Sequence, residues 1–164
     1  MLNRFYVDNI INTALAEDIN YIDVTTDNLL QDGDVSEAYF VAKDSGILCG
    51  IDVAARVFDL AGGNVEKEIL LKDGAPIKKG DYIAFFRGSA KTLLKGERTA
   101  LNLIQHMSGI ATAANECVKL VEGTNASIAD TRKTLPGLRA LQKYSVTVGG
   151  GKNHRFNLSD GAML

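Results

Sequence analysis

Cysteine is scarce: Cys49 and Cys117 are the only two in 164 residues, far apart and in apolar surroundings. That excludes a disulfide framework and a cysteine-rich metal site, and it makes a reducing cytosol the expected compartment. Proline occurs twice, and 46% of the residues are hydrophobic. Such a composition is neither collagen-like nor that of a disordered chain, and it is enough to bury a core. No apolar run approaches the roughly 18 residues of a membrane span. The opening MLNRFYVDNI lacks a signal-peptide core. The expectation is a soluble cytoplasmic protein with no membrane partner, one domain long or one domain and a piece of a second.

Acidic residues are missing where they matter most. Residues 1–60 hold 11 Asp/Glu and 3 Lys/Arg, whereas residues 131–159 hold no acid at all. That window carries Arg132, Lys133, Arg139, Lys143, Lys152 and Arg155, with His154 beside them. Like charges repel unless something anionic compensates, so the asymmetry points to an anionic partner. Nucleic acid is the weaker candidate, because the protein is acidic overall and only Tyr144 and Phe156 supply aromatic rings in the window.

Periodicity sets the expected elements. Phe5, Ile10, Ile11, Ala14 and Leu15 predict a first helix with one apolar face, followed by a loop from Glu17 to Asn28. Asp18, Asp23 and Asp27 in that loop lack the pattern of a calcium loop and read as solvated. Strands are expected over Ala38–Leu48, broken at Asp44-Ser45-Gly46, then over Val65–Leu71 and Tyr82–Phe86, with a helix over Ile51–Leu60 stopped by Gly62-Gly63. The run from Asp73 to Asp81 resembles hairpins that carry biotin or lipoate, but no modifiable lysine tip is present, so it reads as turn chemistry. The strongest helical signal covers residues 90–121. Leu93, Leu94, Leu101, Ile104, Met107, Ala111, Ala114, Val118 and Val121 form its apolar stripe, and Arg98, Gln105 and Thr112 lie opposite. Gly109 is a packing contact or a break. A short strand over Ala126–Ala129 and a helix starting near Thr134-Pro136 and ending at Gly149-Gly150-Gly151 complete the pattern. Strand–helix alternation at the end suggests an α/β barrel or parallel sheet, and the first part reads as a separate α+β unit.

Chemistry in such folds gathers at the carboxyl ends of strands. Asp130-Thr131-Arg132-Lys133-Thr134 is delivered there, with the N-terminal dipole of the next helix expected to favour an anion. Gly149 to Arg155 follows, glycines whose N–H groups are candidates to cradle oxyanions, then His154 and Arg155. Arginine matches a carboxylate in a bidentate fork. A small ligand with two carboxylates, or with carboxylate and phosphate, suits this set.

Three blocks, ERTALNLIQHMSGIAT (Glu97–Thr112), DTRKTLPGLR (Asp130–Arg139) and GGGKNHR followed by LSD (Gly149–Asp160), resemble the quinolinate phosphoribosyltransferase family in order and spacing across the whole chain. The resemblance implies an α/β fold in two parts, an α+β N-terminal sandwich domain over 1–100 and the opening elements of an open α/β barrel over 101–164. It implies a homodimer with shared active sites. The implied reaction joins quinolinate to phosphoribosyl pyrophosphate, giving nicotinate mononucleotide, pyrophosphate and CO2 with Mg2+.

Carried over by motif, Arg132, His154 and Arg155 hold the two carboxylates of quinolinate. Thr131 adds a hydroxyl, Lys133 faces phosphoribosyl pyrophosphate, and Arg98 reaches the neighbouring subunit's quinolinate. The family's later lysine and its metal and ribose carboxylates have no counterpart here, so the chain matches roughly the N-terminal half. Its Mg2+ ligands are expected beyond residue 164, and by itself it is expected to be inactive. Ala162-Met163-Leu164 reads as the start of a strand. Two alternatives share the pattern: a homologue linked to molybdate transport, against which the intact TRKT and NHR blocks argue, and a non-catalytic half-enzyme that binds anions or dimerises.

Overall fold

A computed structural model describes residues 2–161, so the strand expected at 162–164 lies outside the described residues. The element order is α1 (Arg4–Ile19), α2 (Val24–Leu29), β1 (Val35–Val41), β2 (Gly46–Ile47), α3 (Ile51–Ala61), β3 (Val65–Ile69), β4 (Pro76–Ile77), β5 (Tyr82–Ser89), α4 (Ala90–Leu120) and α5 (Arg139–Val148). The strands β1-β5-β3 form an antiparallel sheet in that spatial order, and β2 pairs with β4. Among the described residues, no helix is long and apolar enough to cross a membrane.

Alternation along β1 and β5 sends Phe40, Ala84 and Phe86 to the helix side of the sheet, where all are buried. Phe58 from α3 meets Phe86 with ring centroids 4.7 Å apart, and Phe40 lies 4.8 Å from Phe86. Gly96 of α4 permits this packing, because a Cβ there would come within 2.8 Å of the Phe58 ring. Helices cover this face only. On the other face Tyr39 and Tyr82 stay about half exposed, 53% and 57%, with Tyr39 tilted against Phe85 at 4.9 Å.

Several expectations are corrected. Phe5 is 88% exposed, and the buried stripe of α1 is Val7, Ile10, Ile11 and Leu15. The expected 17–28 loop is largely helix: α1 runs to Ile19, and Asp23 caps α2 by accepting from Thr25 N at 3.1 Å and Thr26 N at 2.9 Å. Asp27 pairs instead with Lys95 of α4. Leu94 is 52% exposed rather than on the buried stripe of α4.

Helix α4 is continuous through Gly109, where a Cβ would meet nothing within 4 Å, so that glycine is neither break nor packing contact. Thr112 is not on a solvated face. Its hydroxyl accepts from Ile47 N at 2.9 Å, and Ser108 Oγ accepts from Cys49 N at 2.9 Å. Two hydroxyls of one helix thus satisfy the free backbone edge at β2.

Asp73 ties the two halves. Its carboxylate accepts from Gly50 N and Ile51 N at the start of α3, and from the Tyr144 hydroxyl of α5 at 2.9 Å. Burial, and then the nearby Asp73 charge, push the Tyr144 phenol above its ordinary value. Burial likewise pushes the Cys49 thiol up to about 12, opposed by its hydrogen bond to Ser145 Oγ. Arg56 of α3 grips Asp8 of α1 in a two-bond fork, 2.9 Å each, and holds that carboxyl below the usual range.

Truncating Phe58 to Ala is expected to cost ~3–5 kcal/mol, read by denaturant unfolding. Gly109→Ala should stabilise α4 by up to about 1 kcal/mol in the same assay. The buried Cys49 thiol keeps its proton in the folded state where the unfolded chain, near the ordinary value of about 9, loses it. The resulting stability is complete below about pH 9 and drains as pH climbs toward 12. A pH series of unfolding midpoints should therefore decline less steeply over that range for Cys49→Ala than for the native protein. In the native protein near neutral pH, Ellman's reagent should titrate the exposed Cys117 and leave Cys49 untouched.

Candidate functional site

The expected strand at 126–129 is reduced to one parallel bridge, Ala129 to Lys152, closed by Lys152 N donating to Ile128 O at 2.8 Å and Asp130 N to Lys152 O at 3.0 Å. α5 is the crossover between these two segments, the minimal β–α–β unit of a parallel sheet. The bridge is what brings Thr131-Arg132-Lys133 and His154-Arg155 to one end of the fold.

The helix between them starts later than expected. Leu135-Pro136-Gly137-Leu138 is a turn, closed by Leu138 N donating to Leu135 O at 3.1 Å, with Gly137 at φ 81°. Proline second and a left-handed glycine third is the signature of a type II turn, so Pro136 does not open the helix. α5 begins at Arg139, further along the chain from Arg132 than expected. Gln142 secures the turn. Its Oε1 accepts from Leu135 N, and its Nε2 lies 3.0 Å from His106 Nε2 of α4. With Gln142 as donor, His106 carries its proton on Nδ1.

The three glycines after α5 do not offer free N–H groups to an anion. Gly150 takes φ 95° and donates to Thr147 O, and Gly151 donates to Val146 O at 2.9 Å. This is a Schellman cap. Gly149 donates to Ser145 O and lies so close to α4 that a Cβ would collide with the Ala111 carbonyl and the Ala114 methyl. The triplet closes a helix and sets its distance from α4.

The basic window is also less uniform than its composition. Lys143 is buried and paired with Asp130, the acid immediately before the window, with side chains 3% and 4% exposed. Arg139 Nε donates to Thr134 Oγ1 at 3.0 Å, and its Nη1 to Phe156 O at 3.3 Å. Both cations are engaged within the fold. Thr131 Oγ1 accepts from Lys133 N at 3.0 Å, a local turn that bends the chain at Arg132. Lys133, Lys152 and His154 are exposed, and Arg132 and Arg155 are half-buried. Arg132 Nε is buried and without a hydrogen-bond partner among the described residues. A buried guanidinium nitrogen without a partner costs free energy, so Arg132 is the cation of this window left in need of an acceptor.

A cavity of about 260 Å³ is lined by Ile110 of α4 and by Asp130, Thr131, Lys133, Thr134, Gln142, Lys143 and Val146; of the expected site residues Thr131 and Lys133 line it, and Arg132, His154 and Arg155 do not. A larger hollow of 520 Å³ between β1 and α4 has a mixed lining in which Glu37 and Glu97 outnumber its one cation, Lys43. Charge, not volume, therefore identifies the site. Arg98 is not brought to it. It is exposed on α4, and the twelve residues from Arg98 to Ile110 span about 18 Å of helix. Sequence reasoning passed over Asp130, Asn153, Gln142 and His106 as site-building residues. The available signal was a single acid bordering a long acid-free stretch.

The family model for the N-terminal domain of quinolinate phosphoribosyl transferase matches residues 23–108, and that for its C-terminal domain matches residues 110–164. Nicotinate-nucleotide pyrophosphorylase (carboxylating) from Mycobacterium leprae is 46% identical over 94% of this chain and 55% of its own length. A Bacillus subtilis protein named as probable nicotinate-nucleotide pyrophosphorylase (carboxylating) is 44% identical over 99% of this chain and 56% of its own. The crystal structure of NadC from Streptococcus pyogenes superposes with a TM-score of 0.95 at 40% identity, covering all of this chain and 58% of that one. The chain thus spans little more than half the length of the relatives it matches. With both family models matched in order and such similarity across nearly all its residues, the chain belongs to the quinolinate phosphoribosyltransferase family.

Proposed function

We propose that this chain supplies the quinolinate-binding part of an enzyme that transfers a phosphoribosyl group to quinolinate and releases pyrophosphate and CO2 on the way to NAD. The observation that carries the reading is the open Arg132 Nε beside unpaired cations on a segment that family membership aligns with quinolinate enzymes. Arg132, His154 and Arg155 bind the two ring carboxylates, Thr131 contributes its hydroxyl, and Lys133 faces the pyrophosphate of phosphoribosyl pyrophosphate.

These residues act by orientation and charge. The ring nitrogen of quinolinate attacks the ribosyl carbon as its bond to pyrophosphate breaks. The carbon–carbon bond to the carboxylate beside that nitrogen then breaks. Its electron pair stays on the ring carbon next to the pyridinium and takes a proton there. Cations fixed at the carboxylates hold the nitrogen in line for the first step and the departing carboxylate in place for the second.

No group of three or more His, Cys, Asp or Glu suited to a metal ion occurs among the described residues, and Asp130 is committed to Lys143. The ion that accompanies phosphoribosyl pyrophosphate takes its ligands from residues beyond 164. Arg98, about 18 Å along α4 from the cavity, serves the site of a second copy in a homodimer. The cytosol, where Cys49 and Cys117 stay reduced, is the compartment.

Arg132→Ala or Arg155→Ala should each weaken quinolinate binding by ~2–5 kcal/mol in calorimetry, and unchanged affinity in both would overturn the site. In the full protein, Arg98→Ala and Arg132→Ala should each be nearly inactive, while a re-associated equal mixture recovers about one quarter of native turnover, because random pairing rebuilds one intact site in each mixed dimer. No recovery would remove the shared-site reading.

A further inference from the structure

We propose that the buried Asp130–Lys143 pair is the positioning element of the anion site, holding residues 153–155 beside 131–133 so that affinity for a dianion depends on this one carboxylate. The inference rests on the quinolinate reading above and goes beyond it, since neither residue touches the ligand in that reading.

Electrostatics alone gives the opposite expectation. A carboxylate at the mouth of an anion site repels its ligand, and removing it should tighten binding. Asp130, however, is engaged on both oxygens. Oδ1 accepts from Lys143 Nζ and from His154 N at 2.8 Å. Oδ2 accepts from the Asn153 side-chain amide, oriented with its nitrogen toward the carboxylate, which also donates to Lys143 O at 3.0 Å. Lys143 Nζ in turn donates to Arg155 O at 3.3 Å. Three successive residues, Asn153, His154 and Arg155, are therefore gripped by side chain, N–H and carbonyl at a single pair. Arg132, with its open Nε, follows Asp130 by two positions on the other segment.

A buried ion pair contributes little net stability compared with an apolar pair of similar volume. Stability is thus a poor account of this pair, whereas an apolar pair would supply none of these hydrogen bonds. The adjoining parallel ladder is a single bridge at Ala129 and Lys152, too short to fix the loops beyond it. The pair takes over where the ladder ends.

The test uses the full protein with Asp130→Asn and with the double variant Asp130→Asn/Lys143→Met, which removes both charges. Calorimetry reads quinolinate affinity, thermal unfolding reads stability, and amide hydrogen exchange reads the order of residues 153–156. Asp130→Asn should weaken quinolinate binding roughly tenfold or more, despite the added positive charge. The double variant should unfold near the native temperature yet stay weakened to the same degree, with faster exchange at the His154 amide. Tighter binding by Asp130→Asn would overturn the proposal in favour of plain electrostatics. Affinity restored together with stability in the double variant, or a double variant that does not fold, would mark the pair as structural and also overturn it. If the native protein fails to bind quinolinate, the substrate reading falls. Exchange then decides alone: unchanged protection at 153–156 overturns the positioning role, and lost protection in the folded double variant supports it.

Discussion

Helix α4 is the constraint on which the rest depends. It runs 31 residues without interruption and touches α1, α2, α3, α5, β1, β2 and β5. Its first half packs Gly96 and Leu93 into the aromatic core beneath the sheet, and its second half receives α5 along Ala111 and Ala114. Small residues at both contacts let backbones come close, so the helix is a rigid rod with two tightly defined docking faces. The β–α–β unit that presents Arg132 and Arg155 is placed by the second face. The distance from that unit to Arg98 is set by the rod's length.

A consequence is that much of the long Glu97–Thr112 block on α4 has structural duties. Ser108 and Thr112 satisfy the backbone around β2, Met107 fills the space that Gly50 leaves, and His106 meets Gln142 beneath the Leu135–Leu138 turn. The same holds for the glycine triplet and for Arg139. Motifs that identify a family mix ligand-binding residues with those that hold the ligand-binding residues still. Separating the two requires knowing which polar atoms are already satisfied. Arg132 stands out by that criterion and Lys143 does not, although composition counts them as equals.

Part of the charge in the acid-free window is compensated within the fold itself. Of the six cations in the acid-free window, Lys143 is compensated by Asp130 and Arg139 is bound to a hydroxyl and a carbonyl. Those two ties lie, along the chain, between the open cations Arg132 and Lys133 on one side and Lys152 and Arg155 on the other.

Periodicity and charge made a good deal legible in the sequence alone. The α3 and α4 helices, the three main strands and the strand-to-helix order around Arg132 follow from local patterns, because apolar spacing and turn glycines act over a few residues; the return of the chain at Lys152 beside Ala129 does not. The acid-free window was likewise legible, and with it the expectation of an anionic ligand, because net charge needs no fold to be counted. The tertiary structure alone decided which charges remain open, that Pro136 belongs to a turn, that Gly149 is a contact with α4, and that Phe5 faces solvent. Each depends on a partner distant in sequence: Asp130 for Lys143, Phe156 for Arg139, Ala111 for Gly149. Hydrogen bonds and buried charges are satisfied in space, not along the chain, and a sequence states which groups exist but not which of them have already met.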